Sequence, residues 1–506
     1  MTCSLQAAPV LVVGAGIMGT GIAQVAAQAG HAVWLFDVRE GAAAAALQKL
    51  AATLEGLVAK GRLAAEAAQA TLARIEGVAS LQQAAHAGLV VEAIVEQLDA
   101  KQSLFRELEG IVSPTAVLAT NTSSISVTAI ANGLQHPGRL VGMHFFNPVP
   151  LMKLVEVVSG LHTEPAVAEA VFELARTWGK VPVHARSTPG FIVNRIARPY
   201  YAEALALLQE QACTPAVLDA CLRSAGFRMG PCELMDLIGH DTNFAVTQSV
   251  FDAYFFDKRY VPSPLQREMV EGGLLGRKSG RGFYRHGEGA AAAAPPVLVA
   301  DAPMQARELV VHGSGAVADW LEQALTRALA PQGWGPGRQA GSGWTGVAID
   351  ERRLVQTDGR PAHVLAEQLG QADVAVFDWL LATPPAPGAA LAYALPQAAS
   401  EHWAGQAPAW LAALGLVPLR VADSSGLVVA RTVAMLVNEA ADAVLHGVCS
   451  ADAADAAMKL GVNYPAGPFE WLQRQGRNAV VAVLRALDAE YRGERYRVSP
   501  LLQRQR

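Results

Sequence analysis

Cysteine is scarce in this sequence, with five thiols in 506 residues at Cys3, Cys213, Cys221, Cys232 and Cys449. No two form a C-x-x-C pair. The odd, scattered set argues against a disulfide framework and a zinc site, and it leads us to expect no metal and a reducing, cytoplasmic setting. Charge is thin as well: 17% of residues are Asp, Glu, Lys or Arg, with a net charge of -5. No Lys/Arg-rich run occurs, so the electrostatic footprint of a nucleic-acid binder is missing. No run of about 18 strongly apolar residues stands out, so no membrane span is expected. The first residues lack the basic segment and cleavage pattern of a signal peptide. Aromatics are only 6%, which points to helix-rich cores of Ala, Val and Leu. What is abundant is apolar: 52% of residues, with a mean hydropathy of +0.23. Such a chain folds rather than staying disordered, and at roughly 150 residues per domain its length predicts three or four domains.

Residues 9–37 read strand, glycine turn, helix, strand, with strands at 10–13 and 33–36 and a helix ending before Gly30. Residues 40–86 are alanine-rich and helical, broken near Gly61. Residues 89–94, 116–119 and 140–144 read as further buried strands. Strands alternating with helices predict a parallel, doubly wound α/β sheet. The texture changes at Thr188-Pro189-Gly190 and is helical to about Gln211; Thr214 then caps a second helix beginning at Pro215. The Ala/Pro-rich stretch 289–296 reads as a linker.

Beyond that linker the chain repeats its first half. Residues 309–321 echo 11–21, and residues 416–422 with 425–431 echo 180–185 with 189–195. Asp455 matches Asp219, Gly467-Pro468 matches Gly230-Pro231, and Ser499-Pro500 matches Ser263-Pro264, each offset within a residue of 236. The expected architecture is a Rossmann domain (1–188), an all-α domain (189–286), a linker (287–305), a degenerate Rossmann-like segment (306–422) and a second helical domain (423–506).

Chemistry is concentrated in the first half. Gly14-x-Gly16-x-x-Gly19 joins a strand to a helix, and Asp37 ends the next strand, 21 residues after Gly16. The glycines permit the turn, the approach of a pyrophosphate and close helix packing, while an acid there bonds a ribose 2′-hydroxyl and repels a 2′-phosphate. This pattern predicts a bound dinucleotide, NAD over NADP, although Arg39 stands nearby. His144 ends a strand before Asn147-Pro148, where such sheets hold ligands. A lone His there is as easily structural, but Glu156 lies twelve residues on inside an apolar strand, where a carboxylate needs a partner. A His–Glu pair satisfies both and fixes the imidazole tautomer. Asn121-Thr122-Ser123-Ser124 comes after a buried strand and either bonds a substrate oxygen or caps the next helix. Asn194 sits early in the helix after the junction, and its repeat counterpart is Ala430.

These residues, together with residues 91–96, 145–148, 152–156, 189–195 and Lys278-Ser279-Gly280-x-Gly282-Phe283-Tyr284, resemble the 3-hydroxyacyl-CoA dehydrogenases over residues 9–286. The long form with a second helical copy is similar to the members acting on 3-hydroxyadipyl-CoA in aerobic phenylacetate degradation. The resemblance implies NAD-linked oxidation of a (3S)-hydroxyacyl-CoA to the 3-oxoacyl-CoA. It implies His144 as general base and Glu156 as its orienting carboxylate, with Ser123 and Asn194 bonding the reacting oxygen or thioester carbonyl. Cofactor contacts carried over are Gly14, Gly16, Ile17, Met18, Gly19, Asp37, Glu96, Lys101, Asn147 and Lys278; Thr53 and Lys60 match positions that hold CoA. The alternatives are a short-chain 3-hydroxybutyryl-CoA dehydrogenase and, from another class, an idle NAD-binding scaffold, which the intact His144, Glu156 and Asn194 argue against. The second copy keeps Gly313-x-Gly315-x-x-Ala318, with Asp350 expected to end the following strand, but has no counterpart of the His144 or Glu156 motifs. One catalytic site per chain is expected, with the second glycine turn either a packing relic or a dinucleotide site. The helical domains are expected to pair, within one chain as a pseudo-dimer or between copies in a homo-oligomer.

Overall fold

Val10–Val13 (β1) leads into an eight-stranded sheet with Val33–Phe36 (β2), Ile75–Gly77 (β3), Leu89–Glu92 (β4), Val117–Thr120 (β5), Leu140–Phe145 (β6), Leu154–Ser159 (β7) and Val181–Arg186 (β8). The computed structural model describes residues 5–287, 295 and 306–504; Cys3 and most of the expected linker 287–305 lie outside the described residues. The strand order is β3-β2-β1-β4-β5-β6-β7-β8. β1, β4 and β5 are buried along their whole length, as strands covered by helices on both faces must be. The sheet is parallel as far as β6, and there it reverses: β7 runs antiparallel to β6, and β8 parallel to β7. The few residues between β6 and β7 cannot carry the crossover that a parallel pair needs.

The helix Ile17–Gln28 starts at the glycine turn. Gly14 has φ 108, and a Cβ there would lie 2.4 Å from the Ala93 carbonyl oxygen; a Cβ on Gly19 would lie 1.8 Å from the Gly14 oxygen. The next helix, Ala42–Ala59, differs from the expectation of no apolar span: its 18 residues have a mean hydropathy of 1.2, enough by length and composition to cross a membrane. Alanine supplies much of that value, and Ala46, Leu50 and Leu54 form the stripe that packs into the core.

The chain gathers into two units that do not follow its linear order. Residues 443–462 join residues 1–195, and residues 463–506 join 196–442. In the first unit the helix Ala451–Gly461 lies on β7 and β8, with Ala454, Ala457, Met458 and Gly461 on its buried face. The Arg186 N–H donates to the Val448 carbonyl at 2.9 Å.

The second unit carries its own seven-stranded sheet: Leu309–His312 (β9), Gly337–Gln339 (β10), Gly346–Ile349 (β11), Arg352–Gln356 (β12), Val374–Phe377 (β13), Ala390–Ala394 (β14) and Val417–Arg420 (β15), ordered β10-β9-β11-β12-β13-β14-β15. The helix Pro215–Ser224, capped by the Thr214 side chain, lies on β14. The Ala422 N–H donates to the Ala212 carbonyl at 2.8 Å. Residues 422 and 212 mirror 186 and 448, each pair related by the offset 422 − 186 = 448 − 212 = 236. Each sheet therefore receives a helix from the other copy's helical segment. Buried ion pairs tie the helical copies together: Arg431 bonds Glu203 at 2.8 Å and Glu210 at 3.0 Å, and Arg259 bonds Glu439 at 3.3 Å and Asp442 at 2.5 Å. Breaking such a pair by removing one partner costs about 3–5 kcal/mol, because a charge is left buried alone.

The helix after the second glycine turn spans Ala316–Leu329. The next strand is β10, whose Gln339 pairs with His312 as Phe36 pairs with Val13. The residue in the place of Asp37 is thus Ala340. Asp350 does not end that strand, contrary to expectation. It sits in the β11–β12 turn and accepts the Arg307 and Glu308 N–H groups, at the end of β9 away from the glycines. The Gly/Trp-rich stretch before β11 brings Trp344 onto the His312 ring at 4.3 Å, with the Arg353 guanidinium 5.4 Å from its centroid.

Candidate active site

β6 and β7 place His144 directly opposite Glu156, which explains the twelve-residue spacing. Cross-strand neighbours share a face, so the side chains meet. The His144 Nδ1–H donates to Glu156 Oε2 at 2.6 Å. The ionised carboxylate only accepts, so Nδ1 carries the proton and Nε2 is left for another partner. Glu156 is fully buried, and its Oε1 accepts the backbone N–H groups of Ile192 and Val193 at 3.0 and 2.9 Å. Those donors open the short helix Val193–Ile196, preceded by Gly190 at φ 75 and Phe191 at φ 46. Asn194 comes after Val193 in the same turn, half-buried. Phe146 and Phe191 flank the imidazole with ring centroids at 4.6 and 5.8 Å. The arrangement holds one imidazole nitrogen fixed and leaves the other to take a proton.

A second carboxylate system sits beside it. Glu92 is buried and accepts from Lys101 Nζ at 2.6 Å, from the Thr120 hydroxyl at 2.6 Å and from the Ile94 N–H at 2.7 Å. Lys101 is 1% exposed and reaches Glu96 at 3.2 Å, so it meets the site through that side chain. Glu96 Oε1 accepts from the Thr122 hydroxyl at 2.7 Å and from the N–H and hydroxyl of both Ser123 and Ser124. Burial pushes the Glu96 carboxyl up, but Lys101 and these donors outweigh it and hold it at about 2. Ser123 is thus engaged by Glu96. Asn121 Oδ1 accepts the Phe145 N–H at 2.8 Å and fastens the end of β6 beside His144. Sequence pattern alone did not single out Glu92 or assign Asn121 this role. The first carried a legible signal, a carboxylate at the end of a buried Val-Val strand; the second carried none.

The glycine turn fits a dinucleotide. A Cβ on Gly16 would meet nothing within 4 Å, so open space lies over the N-terminus of the helix Ile17–Gln28. A cavity of about 940 Å3 there is lined by Gly14, Gly16, Asp37, Leu81, Ile94 and Val95. Asp37 accepts the Ala15 N–H at 2.8 Å, and bonds from Arg39 hold its carboxyl at about 2. The Arg39 guanidinium, a cation suited to a 2′-phosphate, is turned onto Asp37 at 3.0 Å. Ile17 is 79% exposed, whereas Met18 packs on the core.

A neighbouring groove of about 590 Å3 brings Thr53 and Asn147 together with Ile17, Arg39 and Lys49. Lys60 is exposed at the end of the helix Ala42–Ala59 and does not line that groove. Lys278 belongs to the other unit, where it pairs with Asp241. No cluster of three or more His, Cys, Asp or Glu suited to a metal occurs among the described residues.

Residues 9–188 match the family described as 3-hydroxyacyl-CoA dehydrogenase, NAD binding domain, and residues 190–286 and 426–505 match its C-terminal domain. Residues 354–424 match the 3-hydroxybutyryl-CoA dehydrogenase reduced Rossmann-fold domain. The chain is 43% identical to a 3-hydroxyadipyl-CoA dehydrogenase of Escherichia coli, over 97% of this chain and 96% of that one. It is 41% identical to a probable 3-hydroxybutyryl-CoA dehydrogenase of Bacillus subtilis, over 55% of this chain and 97% of the relative. A crystal structure of a 3-hydroxybutyryl-CoA dehydrogenase from Escherichia coli superposes with a TM-score of 0.87 at 42% identity, covering 98% of both chains.

Proposed function

The chain belongs to the 3-hydroxyacyl-CoA dehydrogenase family, an NAD-dependent oxidoreductase oxidising a 3-hydroxyacyl-CoA, and from that premise we propose that its substrate is (3S)-hydroxyadipyl-CoA. The observation that carries the chemistry is the buried His144–Glu156 pair at the end of the sheet that carries the dinucleotide fold. His144 Nε2 takes the proton of the 3-hydroxyl. Glu156 keeps Nδ1 protonated and stabilises the imidazolium that forms. Ser123 and Asn194 hydrogen-bond the reacting oxygen or the thioester carbonyl. Bound NAD supplies the hydride acceptor. Gly14, Gly16, Gly19 and Asp37 would hold its adenosine diphosphate half, with Ile17, Met18, Glu96 and Asn147 completing its contacts and Lys101 acting through Glu96. Thr53 and Lys60 hold CoA.

The adipyl substrate is supported by the match to the Escherichia coli 3-hydroxyadipyl-CoA dehydrogenase over nearly the full length of both chains. With that substrate, the proposal extends to a role in phenylacetate breakdown in the cytoplasm. A short-chain 3-hydroxybutyryl-CoA substrate is the second reading, favoured by the name of the superposed Escherichia coli structure. The reciprocal exchange of helices between the copies supports an intrachain pseudo-dimer. The test follows NADH absorbance with 3-hydroxyadipyl-CoA against 3-hydroxybutyryl-CoA, each with NAD and NADP. A higher kcat/KM for the adipyl thioester with NAD supports the proposal. Equal or better use of the butyryl thioester moves the protein to short-chain β-oxidation, and silence on both puts an idle scaffold ahead.

A further inference from the structure

The second helical copy reaches the catalytic frame of the first. The helix Ala451–Gly461 ends against β7, and a Cβ on Gly461 would lie 2.7 Å from Leu154 Cδ2, 3.0 Å from Val193 Cγ2 and 3.6 Å from Phe146 Cε1. Each neighbour has a part in holding His144. Phe146 packs on the imidazole at 4.6 Å. The Val193 N–H donates to Glu156 at 2.9 Å. Leu154 begins the strand that carries Glu156 and is fully buried. Further back the same segment is anchored by the Arg186 N–H on the Val448 carbonyl and by Arg195, whose Nη2 lies 3.1 Å from His446 Nδ1.

We propose that residues 443–462 are a positioning element for the His144–Glu156 pair, with Gly461 the point at which the second copy sets Leu154, Val193 and Phe146 in place. The inference rests on the proposed role of His144. It gives the duplicated half a function that its degenerate sheet does not supply: it closes, within one chain, the wall behind the catalytic histidine. A side chain at Gly461 would press on the Leu154 and Val193 methyls, at 2.7 and 3.0 Å, and touch Phe146 at 3.6 Å, so one or more of these neighbours would have to shift. Interiors are packed closely enough that such a displacement propagates.

The test uses the full chain carrying Gly461→Ala and Gly461→Val, each alone and with Leu154→Val. Displacement of Val193 weakens an N–H bond to Glu156, so the carboxylate leans more on the imidazolium. The acid limb of the rate profile then moves to higher pH. The expected result is a kcat about 10- to 100-fold lower for Gly461→Val and a smaller loss for Gly461→Ala, with the dissociation constant for NAD unchanged. Leu154→Val removes the clashing methyl and is expected to restore kcat and the pH profile of Gly461→Ala. A structural role alone would lower thermal stability without moving the pH profile and without this rescue. Histidine NMR, with His144 assigned through His144→Gln, reads the same displacement without turnover. An inactive wild type therefore overturns the reaction, and the NMR comparison still tests the positioning. Wild-type kcat, pH profile and His144 titration in both glycine variants would overturn the proposal.

Discussion

Asp378 stands in the second sheet where His144 stands in the first. His144 pairs with Glu156, which pairs with Val183. The Asp378 N–H donates to Ala392, which pairs with Leu419, and 419 − 183 = 236 is the offset of the duplication. Asp378 accepts the N–H groups of Val428, Val429 and Ala430 at 2.7 to 2.9 Å, the bonds that Glu156 accepts from Ile192 and Val193 in the first copy. One buried acid in the histidine's place thus does the glutamate's structural work, and no imidazole stands there. The second sheet keeps the clasp on its helix without the histidine.

That substitution carries a pH signature. Burial pushes the Asp378 carboxyl from 3.8 up to about 6, against the backbone donors that pull it down. A value raised on folding means that the folded state favours the protonated form. The stabilisation is complete below about pH 4 and lost as pH rises through about 6. Denaturant titrations should therefore show the native chain losing up to roughly 3 kcal/mol relative to Asp378→Asn between pH 4 and pH 7. A stability difference independent of pH would contradict this.

The Glu92–Lys101 pair should be costly to break from either side. Glu92→Gln leaves Lys101 buried with only Glu96, 3.2 Å away, as its anion. A stability loss of about 3 kcal/mol is expected. The dissociation constant for NAD should rise as Glu96 is drawn inward. Thermal melts with and without NAD measure both effects.

Cofactor choice should depend on Asp37. Asp37→Ala removes the acceptor for a ribose hydroxyl and frees the Arg39 guanidinium now bound to it. The dissociation constant for NAD should rise about tenfold, the scale of one lost charged hydrogen bond, and the preference over NADP should largely vanish. The Asp37 carboxyl is held at about 2 by Arg39, so its contribution is lost only as pH falls toward that value. NAD affinity should therefore not change between pH 5 and 8 through this group. Fluorescence titration of both nucleotides at two pH values is the check.

Much of this molecule is legible in the local pattern of its sequence. β1 and β2 fall where their apolar runs do, and the glycine turn, the Thr214 cap and the His144–Glu156 partnership arise from short-range chemistry. Three features are not legible there, for distinct reasons. The reversal at β7 depends on how few residues separate it from His144, while its own apolar run suits either direction equally. Asp350 follows an apolar run that suits the strand after the glycine turn, but β11 runs antiparallel to β9 and carries that residue to the opposite end of the sheet. The seating of residues 443–462 on β7 and β8 joins segments hundreds of residues apart, and no local periodicity encodes it.

In the proposed reaction the chemistry of the chain falls to one histidine, His144, held by one carboxylate, Glu156. That role is tested most directly by single-turnover hydride transfer in His144→Gln, with NAD binding measured on the same protein. A positioned general base contributes about 10²–10⁴ in rate. The expected loss is at least about 100-fold, with the dissociation constant for NAD unchanged. Wild-type turnover in His144→Gln would contradict the role and would move the search for the base elsewhere in the molecule.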